Sequence, residues 1–230
     1  MSSNLKPVSV ILNAAGVQIA GDLGNCPSSA GATARAGIVI FAHGSGSSRL
    51  SPRNQHVARL LEEHNFTTLL LDLLTSEEQY SVSKRFDIAL LTTRLVEAIH
   101  WVREHPILRY YPLGLFGAST GAAAALRAAA VASSCVQAVV SRGGRPDLTG
   151  PLLARVKAAT LLVVGSEDRE VLELNQQALV NLSCEKRLTI IPGATHLFEE
   201  PGALDDVAHV AAFWFKNHLR AAPAEELRVV

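Results

Sequence analysis

Six short, mostly apolar runs recur along the chain with longer amphipathic stretches between them: Gly37–Ala42, Thr67–Leu74, Leu113–Gly117, Val136–Val140, Thr160–Val164 and Leu188–Ile191. Apolar runs of this length, bounded by turn residues, suit strands buried on both faces, and such strands belong to parallel sheets covered by helices. The stretches Asn54–His64, Asp87–His105, Ala122–Ala132, Val171–Leu182 and Leu204–Leu219 carry helical patterns. Strand–helix alternation over most of the chain predicts one doubly wound α/β sheet, a three-layer sandwich. Ahead of it, Val8–Leu12 and Val17–Leu23 flank the turn-like Asn13-Ala14-Ala15-Gly16 and predict an antiparallel N-terminal hairpin, making a mostly parallel sheet of about eight strands. Asn25–Gly31, rich in Pro, Ser and Gly, reads as a surface loop.

A chain of 230 residues, 48% hydrophobic and 18% charged, buries roughly 70–75% of its unfolded surface, enough for one core without staples. Residues 1–220 are therefore expected to form a single domain, and 221–230, with Ala-Pro-Ala and two glutamates, a partly disordered tail. Lys and Arg number 21 against 21 Asp and Glu, so the chain lacks the basic footprint of a nucleic-acid binder. Cys26, Cys135 and Cys184 are too few and too scattered for a disulfide framework or a zinc site, which points to the reducing cytoplasm and no metal. The first ten residues lack the apolar core of a secretory signal. The alanine-rich stretch is interrupted by Arg127 and falls short of the roughly 18 apolar residues of a membrane span.

The sharpest chemical signal is Gly117-Ala118-Ser119-Thr120-Gly121, set between an expected strand and an expected helix. Small flanking residues let strand and helix pack closely around a sharp turn that exposes the serine hydroxyl. The alternative is a glycine-bounded helix start with Ser119 as a cap. A serine hydroxyl needs a base to take its proton and a third group to orient that base. Asp168 follows the Thr160–Val164 strand and His196 follows the Leu188–Ile191 strand, placing both where open α/β sheets build their sites. Glu167 competes with Asp168. Among the eight histidines, His56, His64, His100, His105, His209 and His218 fall on expected helices or their ends, whereas His196 lies in a loop downstream of the acid. His43-Gly44-Ser45-Gly46-Ser47-Ser48 bends after the first buried strand and can offer the amide of Ser45 to a developing oxyanion, with the amide of Thr120 as second donor. A phosphate cradle is the competing reading of this bend, but the Gly-Lys-Ser/Thr ending of a Walker loop is missing. His43 is expected to support the loop.

Over residues 8–219 the chain resembles the α/β-hydrolase superfamily, and within it the compact dienelactone-hydrolase-like branch, on the strings His43-Gly44-Ser45-Gly46, Gly117-Ala118-Ser119-Thr120-Gly121, Gly165-Ser166-Glu167-Asp168 and Gly193-Ala194-Thr195-His196. The strings HGSGSSRLSPRN, FGASTGAAAAL, SRGGRPDL and PGATHLFEEPG resemble bacterial hydrolases often fused to, or beside, phosphoribosyltransferase domains. The resemblance implies an α/β-hydrolase fold, a Ser119-Asp168-His196 triad, no cofactor, and association with a phosphoribosyltransferase by family analogy. The acidic pair and Thr-Gly-rich phosphate loop of such a domain are not in this sequence. Dienelactone hydrolases proper carry a cysteine nucleophile where this chain has Ser119.

Only about 20 residues separate the Val136–Val140 and Thr160–Val164 strands, too few for a helical lid, so the site is expected to be open to small soluble esters. Arg49, Arg53, Arg142 and Arg145 cluster in loops expected to border it and offer forks for a carboxylate or phosphate. The alternative is that they pair with Asp147, Glu199 and Glu200 to hold those loops. The functional expectation is a serine hydrolase acting on small esters, some of them anionic, as a monomer or homodimer without nucleic-acid or membrane partners. The alternatives are a thioesterase or acyltransferase using the same three residues, a non-catalytic ligand-binding or regulatory protein on this fold, and a scaffold partner for a phosphoribosyltransferase.

Overall fold

A computed structural model describes residues 7–26 and 36–221. Most of the expected loop at 25–31 and of the expected tail at 221–230 lies outside the described residues. The elements follow the expected alternation: β1 (Val8–Ala14), β2 (Val17–Gly24), β3 (Gly37–Ala42), α1 (Pro52–Glu63), β4 (Phe66–Leu71), α2 (Val82–Arg85), α3 (Ile88–Glu104), β5 (Leu113–Ala118), α4 (Thr120–Val131), β6 (Val136–Arg142), β7 (Ala159–Gly165), α5 (Arg169–Asn181), β8 (Lys186–Ile191) and α6 (Ala203–His218). The eight strands form one sheet in the order β1-β2-β4-β3-β5-β6-β7-β8. β1, β2 and β4 pair antiparallel, and every other neighbouring pair is parallel.

Every residue of β3, β4, β5 and β7 is buried, as expected of strands covered on both faces. Alternate residues of these strands enter two separate apolar clusters. Ile38, Ile40, Leu69 and Leu115 pack on the side of α3 and α4. Val39, Phe41, Phe116 and Val163 pack on the side of α1 and α6, where the Phe41 and Phe116 rings lie 4.8 Å apart. α4 can lie close to the sheet because its buried residues are nearly all alanine. These are the three expected layers.

One of the expected strands is cut short. The apolar run at 67–74 leaves the sheet after Leu71: Asp72 turns to receive Arg49, and Leu73 and Leu74 bury their side chains from irregular backbone. The following segment, with a short 3₁₀ turn at Glu78–Tyr80, is anchored by the buried Arg94 of α3, which donates to Glu78 and to the Leu73 carbonyl. Between β6 and β7 the chain makes a 3₁₀ stretch, Pro146–Arg155, broken at Gly150, and no lid.

Candidate active site

The turn from β5 into α4 forces Ser119 to φ 51° and ψ −121°, a positive-φ conformation that costs a non-glycine residue about 1–3 kcal/mol. Its neighbours have no room for a side chain. A Cβ on Gly117 would sit 2.4 Å from Ala122 Cα, and one on Gly121 would sit 2.3 Å from the Ala42 carbonyl oxygen at the end of β3. The strain is held by hydrogen bonds to the chain after β6: Ser119 N–H donates to the Arg142 carbonyl at 3.1 Å, and Arg145 N–H donates to the Ser119 carbonyl at 3.2 Å.

Asp168 stands at the N-cap of α5 but does not cap it. Its Oδ2 lies 2.6 Å from His196 Nδ1, a length typical of a charge-assisted hydrogen bond. The carboxylate is mostly buried and the imidazole partly open to solvent. Glu167, the competing acid, is exposed and accepts from the Ser166 hydroxyl instead. Ser119 and His196 line one cavity of 210 Å³, smaller than the roughly 300–1,000 Å³ of pockets for drug-sized ligands. Among the described residues, Ser119 Oγ makes no hydrogen bond.

His43, buried, fixes the bend that follows β3. Leu73 N–H donates to its Nε2 at 2.9 Å, which places the ring proton on Nδ1, 2.9 Å from the Gly44 carbonyl. Burial holds its pKa below the ordinary histidine value, in keeping with a neutral ring used as a strut. Ser45 lines the cavity, yet its amide donates to the Thr120 hydroxyl at 2.8 Å. The Ser45 donor expected for an oxyanion is thus engaged. The Thr120 amide is the first of α4 and has no acceptor within its own helix.

The four arginines separate into two pairs. Arg49 does not reach the cavity: Asp22 and Asp72 hold its guanidinium at the edge of the sheet. Arg145 is also turned away, bound bidentately by Asp147 at 2.9 and 2.7 Å, which raises its pKa and lowers that of the acid. Both sites satisfy the arginine with a neighbouring carboxylate, and local ion pairing prevails over exposure to ligand. Arg53 and Arg142 do line the cavity. Arg53 is half-exposed and pairs with Glu199 at 2.9 Å. Arg142 is 7% exposed and has no carboxylate partner among the described residues. Ser51 and Asn54, not expected at the site from the sequence, border the cavity as well; Ser51-Pro52 is a helix-start signal that could have placed the start of α1 two residues earlier.

A mostly parallel eight-stranded sheet with a strained serine between β5 and α4 defines an α/β hydrolase. No family model matches the chain. A dienelactone hydrolase from Anabaena variabilis is 50% identical, with a TM-score of 0.88 over 94% of this chain and 100% of that one. The chain belongs to the dienelactone-hydrolase branch of the α/β-hydrolase superfamily. A lidless α/β serine hydrolase from Xanthomonas campestris, 20% identical, shares the fold with a TM-score of 0.75 over 97% of this chain and all of its own. A Mycobacterium tuberculosis protein named "Putative phosphoribosyl transferase" is 56% identical over 183 residues, 80% of this chain. The chain spans 41% of the length of that relative. Among the described residues no helix is long and apolar enough to cross a membrane.

Proposed function

We propose that the protein is a serine hydrolase that cleaves small carboxylic esters through an acyl-serine intermediate. The observation that supports this most is the 2.6 Å hydrogen bond between Asp168 and His196 on the wall of the cavity that also holds Ser119. In this reading Asp168 keeps the proton on Nδ1, leaving Nε2 free to take the hydroxyl proton as Ser119 attacks the ester carbonyl. The Thr120 amide and, after release from the threonine hydroxyl, the Ser45 amide receive the oxyanion. The protonated imidazole gives its proton to the departing alcohol, and then deprotonates the water that cleaves the acyl-enzyme. The names of the neighbours, a dienelactone hydrolase and a serine hydrolase, support ester chemistry for this site.

Stopped-flow hydrolysis of 4-nitrophenyl acetate tests it. A nitrophenolate burst equal to the enzyme concentration is expected from the wild type and none from Ser119→Ala. A folded wild type with no turnover above background would reject the hydrolase reading and favour a ligand-binding protein, for which the engaged Ser45 amide and the unbonded Ser119 hydroxyl speak. We also infer a phosphoribosyltransferase partner, because the longer mycobacterial relative is named for that activity. Co-purification of such a domain from the native organism is the expected result. Cytoplasmic location is inferred from the small number and wide sequence spacing of Cys26, Cys135 and Cys184.

A further inference from the structure

Arg142 is a charged side chain buried without a counter-ion beside the nucleophile. Its Nε and Nη1 have no hydrogen-bond partner among the described residues, and its Nη2 reaches only Asn54 Oδ1 at a long 3.5 Å. The Phe198 ring lies 5.9 Å from the guanidinium carbon, a weak partner for a full charge. Desolvation, aided by repulsion from Arg53, pulls its pKa down to about 10, so the group is still charged at neutral pH. A buried cation left unpaired destabilises a fold, and the sheet offers no compensating contact here.

The surroundings are those of an anion site. Arg53 lines the same cavity. So do Ser51 and Asn54, the N-cap and third residue of α1, which places the positive end of a 12-residue helix at the wall. Pro52 has no amide proton to offer, and the Arg53 amide has no acceptor within the helix. Among the described residues no Asp or Glu lines this cavity. Arg49 and Arg145, the two arginines turned away from it, are held by Asp22 and Asp72 and by Asp147, and Arg53 is held by Glu199, so Arg142 alone of the four has no carboxylate among the described residues.

We propose that this cavity binds a phosphate group carried by the ester substrate, gripped by Arg142 and Arg53 at the N-terminus of α1. A carboxylate has two oxygens and one charge, enough for one guanidinium. A phosphate monoester has close to two charges and three terminal oxygens, enough to accept from the two unpartnered N–H groups of Arg142, from Arg53 and from the helix amide at once. The assignment rests on the ester-hydrolase reading for the reaction, and on the cavity alone for binding.

The test is isothermal titration of wild type, Ser119→Ala, Arg142→Met and Arg53→Gln with inorganic phosphate, and separately with succinate, alongside melting temperatures without either. Phosphate is expected to bind wild type and Ser119→Ala alike, about tenfold or more weakly in Arg142→Met, and several-fold more weakly in Arg53→Gln. Without phosphate, Arg142→Met should melt at or above the wild-type temperature, because it removes a buried unpaired charge. No phosphate binding by wild type, equal binding by Arg142→Met, or tighter binding of succinate than of phosphate would overturn the proposal. So would an Arg142→Met protein that melts well below wild type, since that marks the guanidinium as structural. Phosphate binding without a nitrophenyl acetate burst would leave the anion site standing and reject the hydrolase reading; a burst without phosphate binding would do the reverse.

Discussion

Asp168→Asn separates orientation of the base from stability of the fold. The carboxylate is bonded to His196 Nδ1 at 2.6 Å and makes no capping bond to α5. An asparagine that turns its NH₂ toward Nδ1 moves the imidazole proton to Nε2, the nitrogen that has to accept from Ser119. One turned the other way keeps the tautomer but no longer stabilises the imidazolium. For a serine triad the combined loss is about 10³–10⁴-fold, or roughly 4–5.5 kcal/mol at 1.36 kcal/mol per decade. Stability should change far less. What α5 loses is the charge at its N-terminus, about 0.3–1 kcal/mol, or about 1–4 °C in a chain of this size. The assay is the burst rate constant with 4-nitrophenyl acetate beside a thermal melt of the same preparation. A burst rate within tenfold of wild type would refute the orienting role and turn attention to Glu167. A rate loss matched by a melting temperature lowered by 10 °C or more would mean that the variant had lost the fold rather than the tautomer.

Gly121→Ala places a methyl 2.3 Å from the Ala42 carbonyl oxygen and 2.4 Å from that of His43, so strand and helix have to part; a destabilisation of about 1–3 kcal/mol and loss of the burst are expected, and an unchanged melt would contradict the packing. Thr120→Val removes the acceptor of the Ser45 amide and should retain the burst; loss of the burst in a folded variant would show that the hydroxyl is needed to position the loop. Acid should weaken the Arg94–Glu78 anchor. Arg94 holds the Glu78 carboxyl well below its ordinary 4.5, so the pair's contribution is complete above about pH 4.5 and is lost as pH falls toward the folded-state value. Glu78→Gln should flatten that limb of a stability-against-pH curve and cost about 3 kcal/mol at neutral pH by leaving Arg94 buried and unpaired; an unchanged acid limb would sink the assignment.

The fold was legible because its evidence is local. A strand covered on both faces needs nearly every residue apolar, and β3, β5 and β7 state this in five to seven letters each; the elbow needs Gly117 and Gly121, whose side-chain-free positions are visible as letters. Where hydropathy is high for another reason, the reading overshoots. Leu73 and Leu74 are as apolar as Leu70 and Leu71, but the ladder stops before them because Asp72 has to turn toward Arg49. The location of the candidate site was legible for a related reason: the C-terminal ends of parallel strands lie along one side of the sheet, so loops after β5, β7 and β8 carry Ser119, Asp168 and His196 to that same side. Arginine partners obey no such rule. Arg145 meets Asp147 two residues away, whereas Arg49 meets Asp22 and Asp72 from the antiparallel part of the sheet, and only assembly decides either. Arg142 is the limiting case. In the sequence it is one of four arginines in loops expected to border the site, and no letter sets it apart from the other three. Its distinguishing property is the absence of a carboxylate within reach of a buried guanidinium, a property of everything packed around it. The same packing that conceals this from the sequence is what makes an anionic substrate the natural partner for the charge.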